Sequence, residues 1–144
     1  GTTVRRRVFM DEAERAVRIS LGEPFYFRIR SMGGTVVSLS EHKQRWIPER
    51  FTESGDALAF EPGVNIAPNK DGAPRPLIEF DDPGMHQFVF IVLKDCAPLR
   101  HLPSTAMGEA IAPQALDCLT EELEQLPSSS CEVMRMHVVF QQKA

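Results

Sequence analysis

His86-Gln87-Phe88-Val89-Phe90-Ile91-Val92-Leu93-Lys94 is the stretch whose reading decides the fold. Phe88 to Leu93 is an unbroken apolar run, β-branched or aromatic at every position but Leu93. Turn-forming residues fence it, Asp81-Asp82-Pro83-Gly84 on one side and Asp95-Cys96-Ala97-Pro98 on the other. Such side chains suit a pleated surface, and a run without polar alternation suits a strand covered on both faces. The stretch therefore predicts a central strand that needs a second sheet over one face and a helix over the other.

The helix is supplied downstream. Pro113-Gln114-Ala115-Leu116-Asp117-Cys118-Leu119-Thr120-Glu121-Glu122-Leu123-Glu124-Gln125-Leu126 starts with a proline suited to a first turn, and Leu116, Leu119, Leu123 and Leu126 form one stripe. Glu121, Glu122 and Glu124 fall on its wet face. Pro127-Ser128-Ser129-Ser130 ends the helix, and Cys131 to Phe140 reads as a last strand. Its Met134, Met136, Val138 and Phe140 share one face, with Val133, Arg135, His137 and Val139 on the other.

Upstream, Asp11 to Ile19 fits either one or two helical turns or an edge strand, and Gly22 and Pro24 end it. Glu23 to Ser31 alternates Phe25, Phe27 and Ile29 with Tyr26, Arg28 and Arg30, which predicts a strand with one wet face. Met32-Gly33-Gly34 then reads as a turn into a second strand, Thr35 to Ser40, making a β-hairpin. Glu41 to Phe51 is charged, and Pro48 within Trp46-Ile47-Pro48 predicts an edge strand or loop with one aromatic anchor. Short apolar pieces at Ala57 to Phe60, Val64 to Ala67 and Leu77 to Phe80, separated by Pro-Gly and Pro-Asn turns, complete an all-β pattern.

The chain has 144 residues, 42% hydrophobic and 25% charged, which predicts one ordered domain, residues 1–144. A net charge of −4 gives no general field for nucleic acid or an anionic membrane, and Arg5-Arg6-Arg7 is a short cluster rather than a face. No apolar run approaches the length of a membrane span. The start at Gly1 fits a part excised from a longer protein, from which a periplasmic export signal could have been removed. Cys96, Cys118 and Cys131 cannot all pair within one chain and match no zinc or thiol-redox spacing, so they read as reduced, which favours a cytoplasmic setting.

Chemical motifs are weak. Cys96 or Cys131 with His86, His101 or His137 could make a nucleophile pair, yet no flanking signature supports one, and cysteine more often serves as a small structural residue, as beside the leucine stripe at Cys118. His42, His86, His101 and His137 with Asp81, Asp82 or Asp95 lack two-ligand metal spacing, and Asp81-Asp82 before Pro83-Gly84 reads as a solvated turn. Gly33-Gly34 lacks the rest of a phosphate loop. Neither catalytic residues nor a cofactor or metal is therefore assigned. The best binding feature is Trp46 among His42, Lys43, Arg45, Glu49 and Arg50, because tryptophan and arginine on an edge dominate many interfaces. Trp46, His42, Arg45 and Arg50 are the expected partner-binding residues; a Trp46 that only caps the core is the competing reading.

Gly22-Glu23-Pro24-Phe25-Tyr26-Phe27, Trp46-Ile47-Pro48, Leu58 to Pro68, and the passage from Asp82-Pro83-Gly84 to Cys96-Ala97-Pro98-Leu99 follow one another in an order that resembles a bacterial β-sandwich family. That family is a domain of unknown function found with caspase-like peptidases, kinases and envelope lipoproteins. The resemblance spans about residues 20–100; Thr35-Val36-Val37 stands where the family has an aromatic residue after the glycines. It implies an accessory domain without catalysis, a sensor or adaptor in a bacterial signalling or defence protein.

Together these readings predict a mainly β protein: an antiparallel β-sandwich of immunoglobulin or transthyretin kind, with one packed α-helix near the C-terminus. The expected function is a non-catalytic protein-interaction or regulatory module, its partner another protein or another domain of the same polypeptide. The alternatives are a cysteine-dependent hydrolase or degenerate relative, and a carbohydrate-binding module, the latter disfavoured because Trp46 and Tyr26 are the only aromatics placed for sugar.

Overall fold

The computed structural model describes residues 2–5, 16–49, 58–71, 73–95, 99 and 109–142. In chain order its strands are β1 (Thr2–Arg5), β2 (Val17–Ser20), β3 (Phe25–Ser31), β4 (Gly34–His42), β5 (Arg45–Glu49), β6 (Leu58–Phe60), β7 (Gly63–Ala67), β8 (Asn69–Lys70), β9 (Ala73–Pro74), β10 (Gly84–Leu93) and β11 (Cys131–Gln141). The helix α1 (Pro113–Glu124) lies between the last two strands. The protein is mainly β, with one helix among the described residues. A six-stranded sheet runs β2-β11-β10-β4-β5, with β6 also on β4; a three-stranded sheet runs β1-β3-β7; β8 and β9 pair alone.

β10 holds the centre, as its apolar run predicts. It pairs antiparallel with β11 along its whole length and with β4 from His86 to Leu93. Phe88, Phe90 and Val92 enter one core with Phe25, Phe27 and Ile29 of the small sheet and Met134, Met136, Val138 and Phe140 of β11. The Phe27 ring lies 5.0 Å from Phe88 and 5.4 Å from Phe90, centre to centre, and Phe25 lies 5.5 Å from Phe140. Burying each such ring stabilises the fold by about 1.5–3 kcal/mol, and tilted or edge-on ring pairs add about 0.5–1.5 kcal/mol beyond area. Val89, Ile91 and Leu93 point the other way, into a second core with Leu119 of α1. Leu116, Leu123 and Leu126 pack against it, so the leucine stripe covers the outer face of the large sheet. The helix ends at Glu124 with Gln125 as its C-cap, two residues short of the sequence expectation, and Leu126 packs from just beyond it.

The expected hairpin of β3 and β4 is corrected. β3 belongs to the small sheet and β4 to the large one, so Met32 and Gly33 form a crossing rather than a turn. Glu132 of β11 holds it, its Oε1 accepting from the Ser31 hydroxyl at 3.0 Å and the Met32 amide at 3.1 Å. Ser31 Oγ in turn accepts from the Gly33 amide at 3.0 Å. Gly34 sits at φ 149°, where its missing side chain lets the start of β4 close on the Leu93 carbonyl. The glycine pair thus serves a close backbone approach, which sequence alone does not distinguish from a turn.

The hairpin lies one strand later, between β4 and β5, with Lys43 and Gln44 both at positive φ, 52° and 67°. Two such residues make the turn whose twist matches paired strands. Bonded and non-bonded pairs alternate away from it. His42 and Arg45 flank the turn as a bonded pair, so Trp46 and Pro48 turn their backbone groups outward. Pro48 therefore loses no ladder bond on this edge strand. The outward Trp46 carbonyl accepts from the Ile111 amide at 2.8 Å.

Other expectations shift in detail. Leu77 to Phe80 is not a strand: Leu77 exchanges both backbone bonds with Phe25 as an isolated bridge, and Phe80 stands 66% exposed. Of the ambiguous segment Asp11 to Ile19, Val17–Ser20 is an edge strand; residues 11–15 lie outside the described residues. That strand runs parallel to β11, and β1 runs parallel to β3, so the sheets are mixed rather than wholly antiparallel. Both parallel partners arrive through long connections, which parallel pairing requires and hairpin-spaced motifs do not reveal.

Candidate groove between helix and sheet

Strand register arranges the outer face of the large sheet in rows. Val37, Ile91 and Val133 form one, Leu39, Val89 and Arg135 the next, and Trp46, Glu41, Gln87 and His137 the third. The face changes from apolar to polar along the strands. α1 lies over the apolar part without filling it, leaving a cavity of about 640 Å³. Leu39, Trp46 and Val89 line it from the sheet, and Leu116, Leu119 and Leu123 from the helix. Trp46 is half-buried there against the second core. Asp117, Thr120 and Glu124 of the helix lie along its rim, and Arg135 lines it from the sheet.

Arg135 is half-buried, and its Nε is shut from solvent without a hydrogen-bond partner among the described residues. The same holds for Nδ1 of His137, two residues further along the same face of β11. In the row of His137, Gln87 Nε2 donates to Glu41 Oε2 at 3.0 Å, and the Gln44 amide donates to Glu41 Oε1 at 2.9 Å. Glu41 is thus occupied, while the two nitrogens on β11 are not. A buried donor left unpaired costs about 1–3 kcal/mol, so the Arg135 Nε–H in the wall of an apolar groove suits a polar acceptor.

A second polar group lies on the inner face. The rings of His42 and His86 stack at 3.9 Å with 6° between planes, and Phe140 meets His86 edge-on at 4.9 Å. His42 Nδ1–H donates to the Met85 carbonyl and His86 Nε2–H to the Asp82 carbonyl, each at 2.9 Å. Burial lowers the His86 pKa below the ordinary imidazole value; the Asp82 carbonyl opposes this and the neighbouring His42 adds to it. Glu49 of β5 accepts from the Ser40 hydroxyl at 2.7 Å. Its carboxyl is raised above the usual range by burial, less the effect of the Ser40 bond and with a contribution from Glu79.

Of the residues expected to bind a partner, Trp46 and His42 fall on opposite faces of the large sheet. Trp46 faces the groove, and His42 turns to the inner face against His86. Arg45, opposite His42 in the register, is exposed beside the turn, and Arg50 lies outside the described residues. Cys118, expected in a structural role beside the leucine stripe, is exposed on the helix, because position 118 falls off that stripe. Cys131 is half-buried and lines the groove, where no histidine is among the described lining residues. Cys96 and His101 lie outside the described residues. No cluster of three or more His, Cys, Asp or Glu is placed to hold a metal among the described residues. Sequence reasoning names His137 only as a possible thiol partner or metal ligand and does not single out Arg135; the signal for Arg135 is the strand alternation that puts it on the helix-covered face. No helix among the described residues is long and apolar enough to cross a membrane. Comparison with family models, curated proteins and solved structures gives no match.

Proposed function

We propose that this chain is a non-catalytic recognition module, a sensor or adaptor, and that the groove under α1 is its recognition surface with Trp46 as anchor. One observation carries the reading: a cavity of about 640 Å³, largely apolar, with the chain's single tryptophan half-buried in its wall. Its size falls within the range of about 300–1,000 Å³ usual for small-ligand pockets, and a few polar groups at one end suit such a role. The two facing sheets are in keeping with a sandwich of immunoglobulin or transthyretin kind. The resemblance of residues 20–100 to the bacterial accessory-domain family points to a place in a larger signalling or defence protein, and the cysteine usage to the cytoplasm.

The test uses a neutral, environment-sensitive naphthylamine dye. Energy transfer from Trp46 to the bound dye, saturating at one site and competed by a neutral alkane, is the expected result. Leu123→Gln should weaken binding about tenfold while the circular-dichroism melt still shows a folded protein. Saturable dye binding that Leu123→Gln leaves unchanged, or no saturable binding at all, would lead us to abandon this surface. Thiol titration supplies the other control: a reactive thiolate at Cys131 near pH 6 would favour the cysteine-hydrolase reading instead.

A further inference from the structure

We infer that the groove takes a single-chain aliphatic carboxylate, its tail under α1 and its carboxylate beside Arg135. The inference rests on the proposed recognition role of the groove and names the chemistry of its ligand.

Three observations combine. The floor is graded: Leu39, Val89, Ile91 and Val133 of the sheet are apolar, and Arg135, in the row of Leu39 and Val89, is the charged group among them. A ligand in the groove therefore meets hydrocarbon over most of its length and a guanidinium at Arg135. That group is incomplete, since Arg135 Nε–H is buried without a hydrogen-bond partner among the described residues. A carboxylate oxygen placed there would supply the missing acceptor. Finally, the other charged groups of the groove, Asp117 and Glu124, line it from the helix, whereas Arg135 lines it from the sheet. An anionic head is disfavoured along the rim and favoured at Arg135, whose guanidinium forms the stronger, charge-assisted kind of bond with carboxylate. This fixes the direction in which the ligand lies. The competing neutral occupant, an alkyl alcohol, would offer the Arg135 guanidinium only the weaker, uncharged kind of hydrogen bond.

The experiment follows the emission of Trp46, the only tryptophan, during titration with dodecanoate below its micellar concentration and separately with dodecan-1-ol below its solubility limit. Dodecanoate should shift the emission to shorter wavelength at a saturating single site and bind at least about tenfold more tightly than the alcohol. Arg135→Gln should remove that preference and leave alcohol binding within about threefold, whereas Arg135→Lys should keep part of it. Thermal melts of both variants show whether they fold, and the alcohol reports an intact groove in each. Equal binding of acid and alcohol, or a preference unchanged in Arg135→Gln, overturns the inference while leaving the recognition surface standing. Alcohol binding without any dodecanoate binding overturns it as well. Failure of both ligands together with failure of the neutral dye instead removes the underlying functional reading.

Discussion

A Cβ placed on Gly34 would overlap the Leu93 carbonyl oxygen and come within 2.9 Å of its carbon, at a backbone angle that side chains rarely adopt. Neither atom can move without disturbing the ladder that joins β4 to β10. Gly34→Ala should therefore lower stability by about 3 kcal/mol or more in urea unfolding. Gly22 offers the contrast, with φ at 84° and no atom within 4 Å of an added Cβ, so Gly22→Ala should cost only about 1–2 kcal/mol. Equal losses at the two sites would contradict the close approach. Glu49 carries a pH-dependent effect. Its folded pKa lies above the unfolded one, so the folded state holds the proton more tightly; the associated stability is present below the unfolded pKa and lost as pH rises through the folded value. Glu49→Gln should raise the melting temperature at pH 7, and the gain should shrink toward pH 4. A gain independent of pH would assign the effect to something other than the buried charge.

At the scale of elements, α1 begins without help. Ala112 is its N-cap in an extended conformation, no side chain caps the first amides, and no acidic residue lies in the first turn. Ala112→Ser should add about 1 kcal/mol by supplying the missing acceptor, seen as a higher urea midpoint with an unchanged slope. Elements with strong periodicity are legible in the sequence. The unbroken run of β10, the alternation of β11 and the leucine stripe of α1 each state their burial directly, because side-chain direction follows the period of the backbone. The crossing between β3 and β4 is not legible, for a physical reason. Met32-Gly33-Gly34 permits both a tight turn and a crossing between sheets, and the choice is made by Glu132, a hundred residues away in the chain. Leu77 to Phe80 has strand composition, but its backbone bonds are those of the Leu77 bridge to Phe25 and one from the Gly22 amide to the Glu79 carbonyl, too few for a ladder.

For the molecule as a whole, the candidate site is less legible than the fold. Trp46 is recognisable as an anchor from its type and setting, but the cavity beside it exists only where β4, β5, β10, β11 and α1 meet. The same assembly separates His42 from Trp46 by putting adjacent turns of sequence on opposite faces of one sheet. The parallel pairing of β2 with β11 has a further consequence, for the order in which the chain can fold. Val17 lies opposite Val138, more than a hundred residues later, and β11 is also the second neighbour of β10. During synthesis β2 waits without its sheet, and the most apolar strand keeps one bare flank, until the last strand leaves the ribosome. Contacts of such long range make closure slow, so refolding should take milliseconds to seconds rather than microseconds. A chain stopped at residue 130 should expose its β10 segment to protease, a vulnerability that the finished sheet removes in a single step.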